Sequence, residues 1–226
     1  LVYVGRLAKE KSIDMILEAM PAIVRELPRA RLLVVGDGPD RALLQEQSRQ
    51  AGLEQVVLFA GSRPWKDIPS CYCAGDVFVS ASKTETQGLT VIEAMASGVP
   101  VVVRDDPSFR SMVEHGTSGL LFNSTPELAS QAISVLKDAS MASMLREGGS
   151  RMVRRYSAEA FGEAVESLYR EAIAMPDNRV EVLAFRVVGQ ASTLTGQVKT
   201  KLVNTFEPRL KKQLVKLKQF RSRMER

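Results

Sequence analysis

One rhythm constrains this sequence more than anything else in it. Short, uniformly apolar, β-branched runs alternate with longer stretches of helical periodicity. Residues 1–4, 31–35, 56–59, 76–79 and 99–103 read as strands, and 120–122 as a further one. None shows the polar alternation of a strand with one wet face, so both faces of the sheet are expected to be covered, as in parallel sheets flanked by helices. Helices are expected near 12–26, 40–51, 67–73, 88–97, 126–138, 140–154 and 157–174. In the first, Ile13, Ile16, Leu17, Met20, Ile23, Val24 and Leu27 recur at helical spacing, and Ser12 stands where an N-cap belongs. This alternation predicts right-handed βαβ units and an α/β fold with a doubly wound parallel sheet. Residues 1–175 are expected to form one Rossmann-like domain, with Pro176 marking its end and 176–226 forming an extension that is in part helical.

Composition narrows the function classes. At 226 residues, 45% hydrophobic and 25% charged, the chain can bury a core without staples. The longest apolar runs, such as 99–103, are too short to span a bilayer. The sequence opens at Leu1 inside an apolar run, with no signal-peptide pattern, as a piece cut at or within a strand would. Cys71 and Cys73 stand as C-x-C beside a single His115, which excludes a disulfide scaffold and leaves zinc without ligands. Two reduced thiols in a short helix of a cytoplasmic protein are expected. The net charge of +5 is uneven. Residues 176–226 hold 12 Lys and Arg against 4 Asp and Glu, a net +8, and the other 175 residues hold 19 against 22, a net −3. The basic balance therefore describes one segment, not a nucleic-acid-binding core.

Ligands of such sheets bind beyond the carboxyl ends of the strands, so the loops there carry the chemistry. The first, Gly5-Arg6-Leu7-Ala8-Lys9-Glu10-Lys11, offers two cations around a glycine turn, a combination suited to a diphosphate or equally to a solvated helix start. The second is Gly36-Asp37-Gly38-Pro39 and the third Gly61-Ser62-Arg63. The full dinucleotide fingerprint is missing, and so is the P-loop pattern. The fourth runs from Ser80 to Gly88 and enters a helix. There Gly88, Leu89 and Thr90 would present helix N-terminal N–H groups to an anion, with Glu85 before the helix and Glu93 inside it. Two carboxylates beside an anion site suggest bonding to sugar hydroxyls. Glu93, among Ile92, Ala94, Met95 and Ala96, needs a polar partner. Asp105-Asp106 and His115 read as turn residues, Trp65 as a packing residue, and Met141, Met144 and Met152 as helix core or surface.

The Gly-Arg-Leu-x-x-Glu-Lys opening, the Gly-Asp-Gly-Pro turn, and Glu85-x7-Glu93 followed by Ala94-Met95-Ala96-Ser97-Gly98-Val99-Pro100 resemble the retaining glycosyltransferases of family 4. These have the GT-B fold, two Rossmann-like domains facing across a cleft. The likeness covers residues 1 to about 174 and corresponds to the C-terminal, nucleotide-sugar-binding domain, the N-terminal acceptor domain lying outside this sequence. It implies that Arg6 and Lys11 bind the donor diphosphate, that the Gly61-Ser62-Arg63 loop lies near the base, and that Glu85 holds hydroxyls of the transferred sugar, with Gly5, Gly36 and Gly38 also among the donor-binding residues. It further implies that the backbone of Gly88 and Leu89 cradles the distal phosphate, with Thr90 also at the donor, and that Glu93 binds the ribose. Arg6, Lys11 and Glu85 are the catalytic candidates. The resemblance implies a nucleotide-sugar substrate but no cofactor and no metal, because the cations and the helix dipole take the part of a divalent ion. It implies retained configuration assisted by the departing phosphate, with Glu85 not a covalent nucleophile.

The stretch 79–90 is most similar to enzymes that glycosylate diacylglycerol, with UDP-glucose the expected donor. In the tail, Leu210, Leu214, Leu217 and Met224 recur at helical spacing among Lys211, Lys212, Lys216, Lys218, Arg221 and Arg223. A basic amphipathic helix suits an anionic membrane surface at the cytoplasmic face, or packing on another domain. A transferase acting on a soluble sugar or polysaccharide, and a non-catalytic nucleotide-binding module, remain the alternatives.

Overall fold

The computed structural model describes residues 1–83, 85 and 88–174, with only the backbone at 172–174. The tail 176–226, with its expected amphipathic helix, lies outside the described residues. Leu1–Ala160 form one compact unit, and a second begins at Phe161. The first unit carries β1 (Val2–Val4), α1 (Ile13–Glu26), β2 (Leu32–Val35), α2 (Arg41–Gln50), β3 (Val57–Gly61), α3 (Ile68–Cys73), β4 (Phe78–Ser80), α4 (Leu89–Ala96), β5 (Val101–Arg104), α5 (Pro107–Arg110), β6 (Leu120–Phe122), α6 (Thr125–Lys137) and α7 (Ala139–Val153). The last helix, α8 (Ala158–Ala174), runs on into the second unit, where Arg170 and Glu166 pair one turn apart at 2.6 Å.

The six strands form one sheet in the order β3-β2-β1-β4-β5-β6, and every pairing is parallel. The α/β, doubly wound arrangement expected from the alternation is therefore present. Its strands alternate between two cores. Val2 and Val4 of β1, with Val101 and Val103 of β5, face α3, α4 and α5, among which Tyr72, Val91, Met95 and Phe109 are buried. Tyr3 and Val102 face the opposite layer, where α1, α6 and α7 bring Ile13, Ile16, Met20, Leu128 and Leu145. Both faces being apolar is what the unbroken β-branched runs require.

The chain moves outward through β1, β2 and β3, then returns to lay β4 against the other side of β1. The strand order reverses between β1 and β4, and the loops leaving these two strands part there to open a crevice.

Local details differ from the sequence expectation at α1. Ser12 does precede the helix, but its backbone is left-handed (φ 47°) and its side chain makes no capping bond. A 3-10 turn at Lys9–Lys11 delivers the chain to the helix, and the Ser12 N–H is spent on Lys9 O. Asp106 is more than a turn residue: its Oδ1 accepts from Ser108 N and caps α5.

Candidate active site

The loop after β1 is built on an aromatic floor. Tyr3 is buried, and its hydroxyl donates to Arg6 O at 3.0 Å. Burial, and after it the nearby Glu85 and Glu10 carboxylates, pushes the phenol well above its ordinary value, so it stays a neutral donor. The neighbouring loops are stitched onto this one. Gly5 N donates to Val35 O at 3.0 Å, Leu7 N to Asp37 O at 3.0 Å, and Gly36 N to Gly61 O at 2.9 Å. The approach leaves no room for side chains. A Cβ at Gly36 (φ 134°) would stand 1.9 Å from Gly5 O, and one at Gly38 would stand 2.2 Å from Leu7 O. Both glycines are thus explained by backbone meeting backbone.

The loop after β4 faces this one. Gly88 heads α4 in the left-handed region at φ 56°, with Met112 packed so closely that a Cβ would lie 2.3 Å from its terminal methyl. Leu89 and Thr90 follow, and their N–H groups precede the first intrahelical bonds of an eight-residue helix. Before the helix, Glu85 is held at both ends. Its backbone carbonyl accepts from Ser108 Oγ at 2.8 Å, and its Oε1 lies 2.6 Å from Lys11 Nζ. The two charged side chains are only 21% and 14% exposed. Lys83 N also donates to Glu10 O at 3.0 Å, a second tie between the two loops.

Between these loops lies a cleft of about 260 Å³, bordered by Gly5, Arg6, Lys11, Glu85, Gly88, Leu89 and Thr90, with Tyr3 and Ser80 beneath. A second hollow of about 260 Å³ shares Gly5 and Arg6 and continues to Gly36, Ser62 and Arg63. The sequence-derived site residues therefore collect around two adjoining hollows, except Gly38 and Glu93, which border neither. Glu93 lies one turn along α4 from Leu89 and Thr90, on the same side of the helix. Glu93 is exposed, so its apolar neighbours in sequence do not bury it, but it does have a polar partner: the Tyr72 hydroxyl donates to its Oε2 at 2.8 Å.

Sequence reasoning missed Tyr3, Tyr72, Ser80 and Ser108. The two tyrosines sit among apolar residues, and a buried aromatic reads as core unless its hydroxyl is asked for a partner. Trp65, expected to pack, is 87% exposed on a 3-10 turn at Trp65–Asp67, with Arg63 through Asp67 all exposed around it.

Comparison with known proteins agrees with this architecture. The sequence profile described as "Glycosyl transferases group 1" matches residues 1–152. The alpha-monoglucosyldiacylglycerol synthase of Acholeplasma laidlawii is 33% identical over 172 residues, covering 76% of this chain and 43% of the relative. This chain thus spans less than half the length of that protein. Anabaena HepE, solved in complex with UDP, superimposes with a TM-score of 0.69 at 24% identity, over 75% of this chain and 48% of that one. The C-terminal domain of the Francisella tularensis group 1 glycosyl transferase LpcC superimposes with a TM-score of 0.62 at 24% identity, over 70% of this chain and 85% of that domain. With a crevice at the β1–β4 switch point and a profile match over two-thirds of its length, the chain belongs to the group 1 glycosyl transferases.

Proposed function

We propose that the cleft between the loops after β1 and β4 holds the diphosphate and sugar of a nucleotide-sugar. In the whole protein, a hexose passes from this donor, UDP-glucose, to a lipid acceptor such as diacylglycerol with its configuration retained. One observation carries the reading: Arg6, Lys11, the N-terminus of α4 and the Glu85 carboxylate converge on one cleft, with Lys11 in contact with Glu85.

Each part has a task. Arg6 and Lys11 supply charge to the diphosphate, and the backbone N–H groups of Gly88 and Leu89 take the distal phosphate. As the glycosidic bond breaks, negative charge grows on the leaving diphosphate. Donors fixed beforehand by Tyr3, Gly36 and Gly88 meet it without reorganising, so they favour the transition state over the bound donor. A divalent ion has no assigned part. Glu85 accepts hydrogen bonds from hydroxyls of the transferred sugar, and Lys11 offsets its repulsion of the phosphates. Glu93 accepts from the ribose, and Arg63 borders the base. The acceptor comes from a facing domain beyond this sequence.

The relative from Acholeplasma laidlawii, an alpha-monoglucosyldiacylglycerol synthase, supports the lipid acceptor, and the HepE complex supports UDP. The basic tail is assigned to the anionic cytoplasmic leaflet. A chain carrying both facing domains, given UDP-[14C]glucose and dispersed diacylglycerol, should release labelled glycolipid. Label passing only to soluble sugars, or to nothing, contradicts the proposal.

A further inference from the structure

Glu93 is an exposed residue, yet one of its oxygens is held from within the protein. The holder, Tyr72, is 1% exposed and belongs to a different helix, α3. Its ring lies on Phe78 of β4, with centroids 5.7 Å apart and planes inclined by 58°. Phe78 is itself wholly buried, so the ring has a fixed wall and its hydroxyl a fixed position. Burial first, and then Glu93, pushes the Tyr72 phenol far above its ordinary value. It therefore remains a neutral donor throughout the working pH range. Glu93 Oε1 has no hydrogen bond or ion pair among the described residues.

We infer that Tyr72 is a positioning residue. From the β4 side of the fold it holds Glu93 Oε2 and thereby aims Oε1 at the ribose 2′-hydroxyl of the bound ligand, which sets the preference for a ribonucleotide over its 2′-deoxy counterpart. The inference rests on the reading of Glu93 as the ribose-binding carboxylate. A glutamate on an open helix face samples several rotamers, and each must be given up on binding. The buried hydroxyl removes that freedom in advance, at a residue that never touches the ligand. A carboxylate with one oxygen engaged and one open is preorganised for a hydroxyl donor, and deoxy analogues leave that acceptor unmatched.

The test is calorimetric titration of the 226-residue chain and of Tyr72→Phe and Glu93→Gln with UDP and with 2′-deoxy-UDP, with thermal unfolding of each. The parent should prefer UDP by about tenfold, the discrimination of one hydrogen bond to a charged group. Tyr72→Phe should bring the ratio close to one by weakening UDP, leaving 2′-deoxy-UDP affinity unchanged. A merely structural tyrosine would weaken both ligands together, and that result overturns the inference. If Glu93→Gln abolishes the preference while Tyr72→Phe keeps it, the tyrosine's part is refuted and the carboxylate's stands. If Glu93→Gln keeps the preference, the ribose reading and the inference fall together. Should Tyr72→Phe not fold, Glu93→Asp reads the same ratio: the charge remains but its reach to Tyr72 is lost, and a preserved preference again refutes the idea.

Discussion

Lys11 Nζ and Glu85 Oε1 lie 2.6 Å apart, joining residues 74 positions distant in sequence and closing one side of the cleft at the β1–β4 switch point. On the proposed reading, the pair gives Lys11 two anions to serve when a diphosphate binds. Glu85→Gln should therefore tighten UDP binding by about fivefold, near 1 kcal/mol for a partly screened charge contact, even though it removes the carboxylate proposed to hold the sugar. Titration of the variant with UDP measures this, and weaker binding would mean that Glu85 organises the phosphate site instead of competing for it.

Two glycines should respond unequally to alanine. At Gly36 the new Cβ meets Gly5 O at 1.9 Å, so the loops after β1 and β2 must separate. A loss of about 3 kcal/mol or more is expected, with loss of UDP binding. Gly52 is also left-handed (φ 67°), but nothing lies within 4 Å of its Cβ position, so only the backbone cost of about 1–2 kcal/mol should appear. Urea unfolding of both variants checks the order, and equal losses would refute the loop-contact explanation.

Stability should fall at high pH because of two tyrosines. In Tyr3 and Tyr72 the folded-state value lies above the ordinary 10.0, chiefly through burial. The unfolded chain therefore releases these protons first. The contribution is complete below about pH 10 and is lost as pH rises beyond it. A Tyr3→Phe, Tyr72→Phe double variant should show a shallower decline in urea midpoint between pH 9 and pH 11 than the parent. Identical slopes would contradict the assignment.

Residues 176–226 should bring the chain to anionic vesicles. Their net charge is +8, and each basic residue near such a surface contributes about 1 kcal/mol within a Debye length of roughly 8–10 Å. Truncation after Met175 should abolish co-sedimentation with vesicles containing phosphatidylserine and leave UDP affinity intact. High salt should weaken the full chain's binding. Equal sedimentation of the two chains would remove the tail as support for a lipid acceptor.

The sheet was legible because its strands, covered on both faces, carry no polar alternation. That Lys11, Glu85 and Gly88 gather at one end of the sheet was legible because all three stand in loops beyond the carboxyl ends of strands. The pairing of Lys11 with Glu85 was not, since it depends on β4 returning beside β1 and no local pattern encodes strand order. Gly36 and Gly38 gave a true signal of close approach, but the approaching groups are the carbonyls of Gly5 and Leu7. Tyr72 looked like core because its ring is core, and only its hydroxyl, directed at Glu93, has another use. Trp65 misled in the opposite sense: its size predicts burial, but the turn at Trp65–Asp67 carries it into solvent.

The central claim is that Arg6 and Lys11 make the cleft a metal-independent diphosphate site. Calorimetric titration of the 226-residue chain with UDP in the presence of EDTA tests it most directly. Binding should persist, and Arg6→Ala and Lys11→Ala should each weaken it by about 1.5–3 kcal/mol, the range for hydrogen bonds to charged groups. Absence of binding until Mg²⁺ is added, or unchanged affinity in both variants, would contradict the account.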